Sequence, residues 1–179
     1  MDIPKYAKFE HERRHLVLTP PDLTGSKVRL IEDRYLDGGR LRLRRITHFD
    51  GAPPDLKLCK KYASADPVSG PIVNIYLSAD EYAELVKLPG KPLRKRRYTV
   101  THAGRGFGVN VFEGVLAGLV LVEVEAETAE AIRQVAFPPW ADADVTGELF
   151  FTGGCLASVG AAELAARLDA YRRKQAEPA

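Results

Sequence analysis

The sequence predicts an α+β fold in which about eight antiparallel strands close into a barrel or a strongly curved sheet, with a few peripheral helices. Three observations carry this prediction. Charge falls on every second position in stretches that otherwise have strand character, as in Glu10-His11-Glu12-Arg13-Arg14, Leu41-Arg42-Leu43-Arg44 and Leu121-Val122-Glu123-Val124-Glu125. Strand side chains alternate between two faces, so each run presents a charged face. The strand-like runs are separated by turn signals, with no strand–helix alternation of the kind that builds a parallel sheet.

Taken in order, a strand over about 6–18 ends at Thr19-Pro20-Pro21. A second, over about 27–36, stops at the hairpin signal Asp37-Gly38-Gly39, and residues 40–49 return antiparallel. Gly51-Ala52-Pro53-Pro54 turns into a strand at 56–62. A Ser/Asp/Pro/Gly loop over about 64–70 leads to a short strand at 72–77. Ser78 followed by Glu81 forms a capping box that opens a helix to about Lys87, closed by Leu88-Pro89-Gly90. Strands at 93–102 and 107–112 flank a turn at Ala103-Gly104-Arg105-Gly106, which is too short for a phosphate loop. After the 114–118 turn comes a strand at 119–126, and Thr128 then caps a short helix to about Val135. An extended segment is predicted at 148–157, interrupted by Gly153-Gly154. Leu164, Leu168 and Tyr171 mark an amphipathic C-terminal helix. Residues 1–160 are expected to form a single domain, with 161–179 a helix and short tail of the same unit.

Composition narrows the function. The 179 residues are 45% hydrophobic and 28% charged, enough for one domain with a real core. A formal charge of +2, from 26 basic and 24 acidic residues, is too small to argue for nucleic acid. Cys59 and Cys155 are far apart and have no metal-ligand spacing, so both are expected to be reduced thiols. The first residues carry no apolar signal core and no run reaches membrane-spanning length, so a cytoplasmic location is expected. No Ser/His/Asp order, Walker lysine loop or GxGxxG is present. Acids on some charged strand faces and bases on others make a charged lumen worth considering, suited to a metal ion and a polyanion together.

Several elements in order along about residues 8–158 resemble the CYTH superfamily, the triphosphate tunnel metalloenzymes. Glu10-His11-Glu12-Arg13-Arg14 is similar to the family's opening ExExK strand, Tyr35-Leu36 to its tyrosine-leucine pair and Leu41-Arg42-Leu43-Arg44 to its LRxR strand. Lys57-Leu58-Cys59-Lys60-Lys61 resembles the lysine strand, and Lys95-Arg96-Arg97-Tyr98 the K-x-R-Y element. Phe112-Glu113-Gly114, the Gly118-Leu119 pair and Glu123-Val124-Glu125 match the hallmark F-x-G, GL and ExE. Asp144-Val145-Thr146 and Phe151-Thr152-Gly153-Gly154 resemble the late strand region.

The resemblance implies an eight-stranded antiparallel tunnel that hydrolyses a triphosphate with a divalent cation, Mg²⁺ or Mn²⁺. Its expected metal ligands are Glu10, Glu12, Glu123 and Glu125, hard oxygen donors suited to such ions. Arg42, Arg44, Lys57, Lys61, Lys95 and Arg97 are expected to bind the substrate, the guanidiniums bidentately and the lysines as point charges. Arg14 and Tyr35 are the expected catalytic pair. Inorganic triphosphate is the default substrate, because no pocket for a base or thiazole ring is evident. The expected partner is this small phosphate-rich substrate, with a homodimer as an open possibility and neither membrane nor nucleic acid. The alternatives are a module that binds triphosphate, polyphosphate or nucleotide without cleaving it and, behind it, an adenylyl cyclase.

Three positions depart from the family pattern. Arg14 stands where the family has lysine, and a guanidinium stays protonated near neutral pH. Asn110 replaces a frequent aspartate, and Ile72–Leu77 carries no carboxylate. Arg94 and Arg96 are expected on the outer face.

Overall fold

A computed structural model describes residues 3–176. The strands are β1 Lys8–Leu16, β2 Lys27–Leu36, β3 Leu41–His48, β4 Asp55–Lys61, β5 Ser69–Tyr76, β6 Gly90–His102, β7 Arg105–Phe112, β8 Val120–Ala126 and β9 Ala143–Asp144. The helices are α1 Ala79–Leu85, α2 Ala129–Arg133, α3 Gly153–Leu156 and α4 Ala161–Ala176. Met1, Asp2 and the tail at 177–179 lie outside the described residues.

Eight strands close an antiparallel barrel in the order β5-β4-β3-β2-β6-β7-β8-β1, with β1 pairing back onto β5. Closure removes the sheet edges that an open sheet would expose. β1 divides its partners. Residues 8–11 pair with β5, while 11–16 pair with β8 on the other side. Where β5 has turned away, β9 takes its place beside His15 and Leu16. Arg14 N–H then donates to Thr146 Oγ1 at 3.1 Å, and Val145 N–H donates to the Arg14 carbonyl at 3.1 Å.

Local signals act where the sequence places them. Glu81 N–H donates to Ser78 Oγ at 3.2 Å, and Ser78 N–H donates to the Glu81 carboxylate at 2.7 Å, completing the capping box. Thr128 Oγ1 accepts from Ala131 N–H at 3.1 Å at the start of α2. The β6–β7 hairpin turns on Ala103 and Gly104, with φ of 49° and 76°. Two successive left-handed residues suit the twist of a two-residue hairpin.

One element differs from expectation. The sequence predicts an extended segment over 148–157, whereas the structure has a 3₁₀ turn at Leu149–Phe151 followed by α3. Its buried residues Phe151 and Leu156 lack a two-residue spacing, and the closed barrel leaves this segment little edge to join. Gly153 instead packs on Tyr35, where a Cβ would fall 1.8 Å from the Tyr35 hydroxyl oxygen.

Apolar side chains form two clusters on opposite sides of the wall. Leu16, Leu93, Phe112 and Leu121 from the inner face meet Phe151, Leu156, Leu164 and Leu168 from the C-terminal elements. Outside, Val109, Val120, Val122 and Val124 pack under Ile132 and Val135, with Phe137 and Trp140 alongside. Each such fully buried side chain contributes about 1.5–3 kcal/mol. β8 is therefore covered on both faces: its valines point out into apolar packing, and its glutamates share the inner face. Among the described residues no helix is long and apolar enough to cross a membrane.

Candidate functional site

The inner faces of the strands enclose a cavity of about 480 Å³. Of the residues expected to act, Glu10, Glu12, Arg14, Tyr35, Arg42, Arg44, Lys61, Lys95, Arg97, Glu123 and Glu125 line it. Strand register explains the convergence. Glu12 lies opposite Glu125 and Arg14 opposite Glu123 across β1–β8, Arg97 lies opposite Asn110 across β6–β7, and Tyr35 lies opposite Arg42 across β2–β3. Lys57 is not brought to the cavity. Its ammonium lies 4.7 Å from the Tyr76 ring centroid and 3.8 Å from Asp55.

The carboxylates divide into two environments. Glu10, Glu12 and Glu125 offer oxygens that all lie within 4.8 Å of one another. Such a set of hard donors fits a divalent cation that takes oxygen ligands. Burial, and then the neighbouring Glu10 and Glu12, push the Glu125 carboxyl above its ordinary range. Among the described residues Glu125 has no ion-pair partner within 4.0 Å, and the more distant Arg97 offsets this crowding of negative charge only in part. Glu123 lies among cations instead. It accepts from Arg97 Nη2, with Lys95 Nζ at 4.0 Å and Arg14 Nε at 3.9 Å. Burial opposes ionisation there, but Lys95, Arg97 and Arg14 outweigh it and hold the carboxyl well below its usual range.

Asp33 is a site residue that no sequence motif marks. It is buried on the inner face of β2 and accepts from Arg44 Nε and Nη2 at 2.6 and 2.7 Å, with Arg42 Nε at 3.8 Å. Arg44 and Arg42 overcome the effect of burial and keep it ionised. A signal was available, since Asp33 stands two residues before Tyr35 on a strand and so shares its face. Asn110, fully buried, is likewise a positioning group: its Oδ1 accepts from Arg97 Nε at 2.8 Å while its amide donates to the Gly108 and Leu121 carbonyls at 3.2 Å. Arg40, Cys59 and Thr146 also line the cavity.

The cations are held to different degrees. Arg14 donates to Glu12 at 2.7 Å and to the Phe151 carbonyl at 3.0 Å. The Nε of Arg14 and the Nε of Arg42 are buried with no hydrogen-bond acceptor, and an unsatisfied buried donor carries a desolvation cost that an anion relieves. Lys61 donates to Glu10 at 2.5 Å and Glu12 at 2.8 Å. Burial pushes Lys95 down to about 7, further helped by Arg97 and Arg44 and opposed by Glu123. Burial raises the Tyr35 hydroxyl, so it keeps its proton at neutral pH.

No protein-family model and no curated protein matches the chain. Solved structures do. The inorganic triphosphatase NE1496 shares 26% identity over 84% of this chain and 95% of its own, with a TM-score of 0.57. A second crystal structure, named as the hypothetical protein NE1496, shares 26% identity over 84% of this chain and 99% of its own, also with a TM-score of 0.57. PH1819 from Pyrococcus horikoshii OT3 shares the fold, at 15% identity over 70% of this chain and 82% of its own with a TM-score of 0.52.

Proposed function

We propose that this chain, whose barrel has the fold of the CYTH superfamily, hydrolyses a triphosphate with the help of a divalent cation. The observation that carries the proposal is one cavity that joins a crowded carboxylate group, Glu10, Glu12 and Glu125, to buried guanidinium donors of Arg14 and Arg42 that lack acceptors. Carboxylates alone or arginines alone would suit many ligands. Together they suit a polyanion that arrives with a metal. The likeness to an inorganic triphosphatase supports the same class of substrate, and inorganic triphosphate is the substrate of choice.

Glu10, Glu12 and Glu125 hold the cation, Mg²⁺ or Mn²⁺. When bound, it neutralises phosphate charge and activates water, as divalent ions do in phosphoryl transfer. Glu123 lies on the same inner face, but its surrounding cations make it a counterion for the phosphate-binding wall. Arg14, Arg42, Arg44, Lys61, Lys95 and Arg97 grip the phosphates. Water attacks the terminal phosphorus, the bridging P–O bond breaks, and phosphate and pyrophosphate leave, with the water's proton passing to a phosphate oxygen of the products. Arg14 and Tyr35 both retain their protons at neutral pH, so they orient and stabilise and do not accept a proton. Placement and charge neutralisation supply most of the catalysis in such reactions.

That same absence of a proton acceptor at Arg14 and Tyr35 favours, as a second possibility, a module that binds triphosphate without cleaving it. Phosphate release measured over a panel of triphosphates with Mg²⁺ and Mn²⁺ separates the two. Hydrolysis requires release by the wild type and a loss of at least about 100-fold in Glu10→Gln and Glu125→Gln, the scale of removing a group that stabilises transition-state charge. Binding heat without any release assigns the non-catalytic role, and equal release by all three proteins removes the carboxylates from the mechanism.

A further inference from the structure

Lys61 differs from the anchored guanidiniums of the inner wall. Arg14 is anchored by the Phe151 carbonyl, Arg97 by Asn110 and Arg44 by Asp33. Among the described residues, the ammonium of Lys61 has hydrogen-bonding partners only in Glu10 and Glu12, two of the three clustered carboxylates. Its side chain is also 45% exposed, against 25% and 18% for those two glutamates. It is the last residue of β4, at an exposed position, and a lysine stem has several freely rotating bonds.

We infer that Lys61 is a mobile counterion that competes with the divalent cation for Glu10 and Glu12, and so couples metal binding to polyanion binding. The inference rests on the metal-assisted triphosphatase proposal and concerns how that site is loaded. With no metal bound, the ammonium neutralises the two carboxylates. A divalent ion that takes the same oxygens repels the ammonium, and of the two cations on Glu12 it is Lys61 that can withdraw, since Arg14 is also held by the Phe151 carbonyl. The expelled ammonium remains tethered to the cavity wall, where a phosphate oxygen is its natural new partner. A polyanion that draws Lys61 away frees the carboxylates in turn. Thermodynamic reciprocity then requires each ligand to tighten the other by the same factor.

This arrangement protects the empty tunnel as well. Three carboxylates gathered in a half-buried space are costly without positive charge. Lys61 meets part of that cost while leaving Glu125 free as the first point of contact for an incoming metal.

The test is Mn²⁺ binding in the absence of any phosphate, followed by calorimetry and by the loss of the free-ion paramagnetic signal, on the full chain. Wild type, Lys61→Met, Lys61→Arg and Glu125→Gln are compared. Lys61→Met keeps an apolar stem and removes the competitor, so it should bind Mn²⁺ roughly tenfold more tightly, within the range of about 5- to 150-fold that site–site coupling spans. Lys61→Arg, which restores a competing cation, should return towards the wild-type Kd. Glu125→Gln should weaken binding. If Lys61→Met binds Mn²⁺ no more tightly than wild type while Glu125→Gln binds it less, the counterion role is overturned and the metal site stands. If Glu125→Gln binds as wild type does, the carboxylate site itself is wrong. Should Lys61→Met unfold, Lys61→Gln with matched thermal melting takes its place, with the same expected tightening.

Discussion

The two faces of β6 carry the same ingredients in opposite surroundings. Outside, Arg94 and Arg96 flank Glu113 at 2.6 and 2.8 Å, with side chains 51% and 40% exposed. Inside, Lys95 and Arg97 flank Glu123, with side chains 7% and 17% exposed. Composition does not distinguish the two triads, and their cations alternate along a single strand. What separates them is the medium. Water screens the outer group, so its pairs contribute little. The inner group is desolvated, so each charge depends on its neighbours, and the triad is poised to exchange them for a ligand.

The largest contrast is expected from removing the acid of each triad. Glu123→Gln leaves Lys95, Arg97 and Arg14 facing one another and should cost about 3–5 kcal/mol of stability, as breaking a buried pair does. Glu113→Gln should cost less than about 1 kcal/mol. Denaturant titration measures both. Added triphosphate should stabilise Glu123→Gln more than the wild type, because the polyanion replaces the missing carboxylate. Equal losses in the two variants would erase the distinction between the faces.

A second contrast concerns the ligand. Arg97→Met removes a preoriented guanidinium, and a hydrogen bond to a charged group contributes about 1.5–3 kcal/mol, so triphosphate affinity should fall roughly 10- to 100-fold. Arg96→Met, one residue away, should change it less than about twofold, within the range of a surface substitution. Calorimetric titration of both sharpens the comparison, and similar losses would assign the binding surface to the outside of the barrel.

The smallest effect is a dependence on pH. Lys95 titrates at about 7 in the folded chain, against an ordinary 10.5. Between those values the unfolded chain holds a proton that the folded chain has released, so this group makes unfolding free energy rise with pH across that window. Below about 7 both states are protonated and its destabilising contribution is complete. Lys95→Met should flatten the slope of stability between pH 7 and 10. Triphosphate binding at pH 8 should take up a proton in the wild type and not in the variant, read from binding heats in buffers of different ionisation enthalpy. A slope unchanged by the substitution would mean that Lys95 is not desolvated.

The sequence and the structure agree most closely where information is local. Alternating charge marked the inner face of β1, β3, β6 and β8, and the caps at Ser78 and Thr128 open helices as expected. Asp33 is not marked by its own strand, because its partner Arg44 lies opposite it across the ladder and a register is not written in one strand alone. Lys57 shows the converse. It shares the parity of Lys61 but lies where Asp55 and Tyr76 are nearer partners than the cavity. The 148–157 segment is not legible in the sequence because a short apolar run has no reliable period, and Gly153-Gly154, which reads as an interruption of a strand, is the surface on which Tyr35 rests. The split of the glutamates into a clustered three and a separate Glu123 was invisible for a related reason, since it depends on which neighbours approach from β1, β4 and β6.

A strand enclosed on both sides has no silent positions. In β8, Val120, Val122 and Val124 are committed to the packing under α2, and Leu121 and Glu123 to the interior. β4, by contrast, carries Lys60 exposed to solvent. Substitutions tolerated over long divergence should therefore accumulate on β4 and spare β8, leaving that short string as a fingerprint by which distant kin remain recognisable after overall similarity has decayed.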